Sequence, residues 1–239
     1  MGVRELSFLA VVTLAILHVL AGNLHHGSRP RWLSAAVGVS LAYVVVQLLP
    51  ELAARQSAWL IERPERAVGS FEAQLYLPAL GGLLLALGLE RATAGQGGGR
   101  MQRFWLHVGG TALYNAIIGG LVAEMTSPLA VVVATLAFGA YILVTDSSLE
   151  RRYGSTYRLG GRWVLASAVV FGWLLAAFSS SSATFTGELL AVLAGGIVVN
   201  AIKEELPAGG KGSFPALLTG AFICSALLLA LALGLQPGG

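Results

Sequence analysis

Few of the 239 residues are of types that do chemistry, and several of those sit inside apolar runs. Tyr43 and Gln47 are four apart, as are Asn200 and Glu204, a spacing that places each pair on one face of a helix. Each pair leads into a Leu-Pro break, at Leu49-Pro50 and Leu206-Pro207, and Glu51 follows the first. Tyr114-Asn115 lies mid-way along another apolar run, which Glu124 closes beside the thioether of Met125, a possible soft ligand. Polar groups placed in this way are expensive in lipid and often mark an ion or substrate path. Tyr43, Gln47, Glu51, Tyr114, Asn115, Glu124, Asn200 and Glu204 are therefore the candidate substrate or cation path. His25-His26, adjacent in a loop, are weaker candidates for holding a metal.

Each candidate has a plainer explanation. Asn115 fits an interhelical hydrogen bond of about 1 kcal/mol, and the two four-spaced pairs fit a structural polar seam. Glu51, Glu124, Asp146 and Glu205 lie near the ends of runs, where an ionised carboxylate reaches water as a solvated cap. His18 has no evident partner in sequence, and His107 follows Trp105 near the start of a run; both read as packed or interfacial.

No catalytic constellation is present. Ser179 to Ser182 have no matching His and acid, and Gly109-Gly110, Gly119-Gly120 and Gly195-Gly196 follow no strand, so none forms a phosphate loop. They fit close helix packing in lipid instead. The chain has no P-loop or haem signature, no cofactor is identified, and an enzyme is not expected. The single cysteine, Cys224, sits in an apolar run and excludes a disulfide framework within one chain.

The elements that must position these residues are membrane spans. Hydrophobic residues make up 56% of the chain and charged residues 11%, with a mean hydropathy of +0.75. A soluble domain carries about 25% charged residues, so this surface is built for lipid. A bilayer core about 30 Å thick needs roughly 20 apolar residues per helix. Eight continuous runs approach that length, at 6–22, 32–52, 74–90, 104–124, 129–146, 162–178, 187–206 and 214–235. Continuous apolar runs exclude barrel strands, which alternate. The fold expected is an all-α polytopic transmembrane helical bundle, with residues 1–239 forming one integral membrane domain. The first run ends in the small residues of Leu20-Ala21-Gly22, as a signal peptide would, but Arg4 and Glu5 cancel and it is read as a span.

Eleven of the fifteen Lys and Arg residues fall on the side reached after runs one, three, five and seven. By the positive-inside rule that side is cytoplasmic and both termini lie outside it. The basic pI near 9.3 thus reports topology, and no nucleic-acid partner is expected. Thirteen Arg against two Lys, with many Ala and Gly, fits a bacterial inner membrane.

The second and seventh runs resemble each other. Gly38 to Pro50 and Gly195 to Pro207 are steps of equal length, aligning Tyr43 with Asn200 and Gln47 with Glu204. The two runs cross the bilayer in opposite directions, as an inverted repeat requires.

Gln47-Leu48-Leu49-Pro50-Glu51 resembles the His-Leu-Leu-Pro-Glu that ends the second helix of ZIP (Zrt/Irt-like) divalent-metal transporters. Lys203-Glu204-Glu205-Leu206-Pro207 resembles the matching end of their seventh helix. The resemblance implies eight spans, termini outside, and an inverted repeat of helices 1–3 and 6–8 around helices 4 and 5. The family's fourth helix reads approximately His-Asn-x-x-Asp/Glu-Gly; this chain has Tyr114-Asn115-Ala116-Ile117-Ile118-Gly119. The His-x-x-Pro-Glu pattern of the family's fifth helix has no counterpart between Phe138, Tyr141 and Thr145. A transition-metal site needs imidazole, thiolate or carboxylate groups converging on one centre.

The expectation is therefore a ZIP-like integral membrane protein that does not carry out conventional zinc uptake. A diverged transporter predicts a polar cavity at mid-membrane between runs two, four, five and seven. The alternative, a non-transporting accessory or scaffold subunit, predicts a dry centre and a lipid-side interface with other membrane chains or a homodimer.

Overall fold

A computed structural model describes residues 2–21, 31–62, 76–94, 99–179, 183–205 and 212–234. The helices are α1 (Val3–Ala21), α2 (Arg31–Tyr43), α3 (Leu49–Glu62), α4 (Tyr76–Ala94), α5 (Arg100–Ala123), α6 (Pro128–Tyr153), α7 (Arg162–Phe178), α8 (Ala183–Glu205) and α9 (Phe214–Gly234). Among the described residues there is no strand. A π turn at Val44–Leu48 joins α2 to α3, and a second at Tyr157–Gly161 leads into α7. The described residues form eight helical rods in the order of the eight apolar runs. Among the described residues, seven rods are long and apolar enough to cross a bilayer.

The irregularities have local causes. Pro50 has no N–H to give the carbonyl of Val46, and its ring crowds that carbonyl. The helix responds by widening one turn earlier, where the Leu49 N–H reaches back to the Val44 carbonyl. Pro128 at the start of α6 sits where a missing donor is harmless. Gly154 ends α6 at φ 56°, a left-handed conformation that glycine adopts freely, while its N–H caps the Glu150 carbonyl at 2.8 Å.

Large apolar side chains cover the outside: Leu136, Phe171, Phe222 and Leu229 all face outward. Water would penalise that surface, whereas hydrocarbon does not. In lipid, helices adhere by close packing, and glycine permits it. A Cβ on Gly38 of α2 would strike the Leu217 carbonyl and the Ala221 nitrogen of α9; one on Gly195 of α8 would strike the Ala79 carbonyl and the Leu83 nitrogen of α4. The return contacts match as well. Gly220 of α9 meets Ala35, and Gly82 of α4 meets Val192. Ala35 and Val192 each lie three residues before their glycine partners Gly38 and Gly195, while Gly220 and Gly82 each lie three after Leu217 and Ala79. The α2–α9 and α4–α8 contacts are therefore one packing arrangement, and α5–α7 makes it a third time, with Gly119 against the Val169 carbonyl and Trp173 nitrogen and Gly172 against Ala116. Similarly, α5 lies against α7 and α1 against α6.

Candidate functional site

The candidate residues occupy three levels of the bundle. At the end holding the start of α1 and the end of α7, a cavity of about 450 Å³ opens between α2, α3, α5, α6, α8 and α9. Tyr43, Gln47, Glu51 and Glu124 all line it, with Arg55, Met125, Thr126 and Ser127 at the rim. The π turn carries Gln47 into this wall, and Glu51 follows one turn later. Glu51 accepts two hydrogen bonds from Arg55, at 2.7 Å from Nη2 and 3.2 Å from Nε, so its charge is locally matched. Glu124, exposed just past α5, adds a further carboxylate to the same wall. The cavity narrows on Tyr43 and Phe138, whose rings meet edge-on with centroids 5.4 Å apart. Both are buried.

Beyond that aromatic floor the polar groups are spoken for. Asn200 donates through Nδ2 to the Tyr141 hydroxyl at 3.0 Å, and the Tyr114 hydroxyl donates to the Gly82 carbonyl at 2.8 Å. The expected mid-membrane polar cavity is thus displaced to one end, because Tyr43 and Phe138 fill the middle.

Asn115 does not face the cavity. Its Oδ1 lies 3.0 Å from His18 Nε2, and His18 Nδ1 lies 2.8 Å from Asp146 Oδ2. None of the three side chains has any exposed surface. Two sequence-based expectations are corrected here. Asp146 is not a solvated cap, since α6 continues seven residues beyond it and α1 covers it. His18 is not without a partner. The signal was available: an acid and a histidine inside separate apolar runs both need desolvated partners, and each can supply the other's.

The third level is the arginine-rich end. Glu204, aligned in sequence with Gln47, lies there in an ion pair with Arg151 at 2.8 Å. Glu90 of α4 binds Arg152 and Lys203, each at 3.0 Å, and Arg152 also donates to the Thr93 carbonyl at 2.7 Å. His107 sits 3.9 Å from Glu90 and 3.3 Å from the Tyr153 hydroxyl. This network ties α4, α5, α6 and α8 together. Nothing in the spacing of Glu90 marked it as a centre, because its partners come from distant helices.

His25 and His26 lie outside the described residues, as does the Glu205 side chain. Among the described residues no three His, Cys, Asp or Glu side chains gather as a metal site would require. No model of a known protein family matches this chain, and no curated protein is found to be similar to it in sequence.

Proposed function

We propose that this integral membrane protein is a transporter-type bundle, a diverged relative of the ZIP-like carriers, which admits a small hard cation through the end cavity. The observation that carries the proposal is the cavity itself. Gln47, Glu51 and Glu124 line an opening that ends on the Tyr43–Phe138 pair. A dry scaffold has no need of such an opening. The cavity's donors are mainly carboxylate, amide and hydroxyl oxygens, which suit Mg, Ca or Mn rather than zinc. An inverted repeat of helices 1–3 and 6–8 would exchange the α2–α9 and α4–α8 glycine contacts with each other, and such repeats build carriers that open alternately to each side. The Tyr43–Phe138 floor, together with the Glu90 and Glu204 ion pairs that tie helices at the far end, fits a carrier state open at the cavity's end only. The arginine distribution supports termini outside the cytoplasm, and the excess of Arg over Lys with many Ala and Gly fits a bacterial inner membrane.

The test is flux into proteoliposomes. Mn²⁺ entry should exceed Zn²⁺ entry, fall several-fold in Glu124→Gln, and rise or lose selectivity in Phe138→Ala. Absence of flux for every cation in the wild type and in Phe138→Ala, with other membrane chains co-purifying in fixed ratio, would instead assign a scaffold role.

A further inference from the structure

His18, Asp146 and Asn115 join three helices, α1, α6 and α5, at a place the end cavity does not reach. Their hydrogen-bond polarity can be worked out. Asn115 Nδ2 donates to the Thr111 carbonyl at 3.0 Å, so its other amide atom, the acceptor Oδ1, is the one turned to His18. The ring nitrogen Nε2 must therefore carry hydrogen. On the opposite side of the ring, Nδ1 faces a carboxylate oxygen at 2.8 Å, which is also an acceptor when ionised. A neutral imidazole has one N–H and one bare nitrogen, and it cannot satisfy two acceptors. A bare Nδ1 against ionised Asp146 would set two lone pairs face to face in a fully buried site.

The surroundings come from every element packed there. Glu150 lies one turn beyond Asp146 on α6, and Tyr157 of the π turn brings its buried hydroxyl into electrostatic range of Asp146 without a regular hydrogen bond. Tyr141, on α6, also feels the Asp146 charge. Arg162 of α7 donates through Nη1 to the Val19 carbonyl at 3.3 Å, next to His18. The second oxygen of Asp146, Oδ1, makes no regular hydrogen bond although the residue has no exposed surface, and the Tyr157 hydroxyl is the donor set toward Asp146. A hydroxyl does not neutralise a buried carboxylate, and a positive charge on the ring in direct contact with Asp146 is what the geometry offers against it.

We infer that His18, Asp146 and Asn115 form a proton-binding site inside the bundle, with the bound proton on His18 Nδ1. The imidazolium bridges α1 to α5 and α6, so proton release removes the His18 hydrogen bond to Asp146 and weakens the hold of α1 on its neighbours. Use of this proton to drive cation movement would rest on the transporter reading; the site itself does not.

The experiment reads protonation directly. Full-length protein labelled with ¹⁵N-histidine, in nanodiscs at pH 7.5, is compared with His18→Gln to assign the His18 ring. Should His18→Gln fail to fold, the His25→Gln/His26→Gln/His107→Gln variant leaves His18 as the only histidine and gives its signals alone. Both His18 nitrogens are expected to carry hydrogen, as the two acceptors facing them require. In Asp146→Asn the ring should become neutral at the same pH. A bare Nδ1 in the wild type, or a ring still doubly protonated in Asp146→Asn, overturns the inference. Neither result depends on whether any cation is carried.

Discussion

His18 and Asp146 stand 128 positions apart in the chain and meet at 2.8 Å with no solvent access to either. Their pairing makes a sharp prediction about stability. Removing one partner strands the other, and breaking a buried pair costs about 3–5 kcal/mol. Asp146→Ala and His18→Ala should each lower the midpoint of unfolding in a titration with SDS by a corresponding amount. The His18→Leu/Asp146→Leu double variant, which removes both polar groups, should unfold much nearer the wild-type midpoint. Additive losses in the double variant would mean that the two residues do not act as a pair.

The glycine contacts predict opposite outcomes at neighbouring positions. A Cβ at Gly81 meets nothing within 4 Å, whereas one at Gly82 meets the Val192 backbone. Gly81→Ala should be neutral or stabilising by up to about 1 kcal/mol, as expected in a helix interior. Gly82→Ala should cost roughly 1–3 kcal/mol, because backbone must move to admit it. Gly38→Ala, Gly195→Ala and Gly220→Ala should resemble Gly82→Ala in the same unfolding assay, since all four sit in matched contacts of one kind.

The arginine-rich end predicts a gradient in the value of its charges. Glu90 serves Arg152 and Lys203 together, each partner being about a quarter to a third exposed, while the Glu51–Arg55 pair stands on one helix with more than a third of each side chain in contact with solvent. Glu90→Gln should therefore destabilise more than Glu51→Gln, and its effect should shrink as salt is raised. For the exposed pair the expected loss is under about 1 kcal/mol. Equal effects of the two substitutions would show that the Glu90 network carries no special share of stability.

How far the sequence foretold this architecture depended on the range of the signal. Continuous apolar runs reveal rods, because lipid demands that every backbone group be bonded within its own helix. The Leu49-Pro50 break announced an irregularity at the end of α2, and it is realised as the π turn that faces Gln47 into the cavity. Four-spaced polar pairs were less informative. Tyr43 and Gln47 line the cavity together, but Asn200 and Glu204 are satisfied separately by Tyr141 and Arg151. A helix face is a local property, while the neighbour it meets is not. The triad was hidden for the same reason: His18, Asn115 and Asp146 belong to the first, fourth and fifth rods, and no local pattern states that these rods meet.

The cavity itself predicts an order of access along one helix and its neighbours. Gln47 lines the opening and is exposed, Tyr43 forms the buried floor, and Asn200 lies beyond it bonded to Tyr141. With the native Cys224 first replaced by Ala, single cysteines at these positions can be challenged with a membrane-impermeant thiol reagent. Gln47→Cys should react quickly, and only from the side of the membrane that holds the termini. Tyr43→Cys should react more slowly, and Asn200→Cys hardly at all while the floor is closed. Adding Phe138→Ala removes half of the edge-on ring pair that closes the floor, so Asn200→Cys should then become reactive from the same side. Reaction of Asn200→Cys from the arginine-rich side instead would place the barrier at the wrong end and show that the Glu90 and Glu204 pairs do not close it.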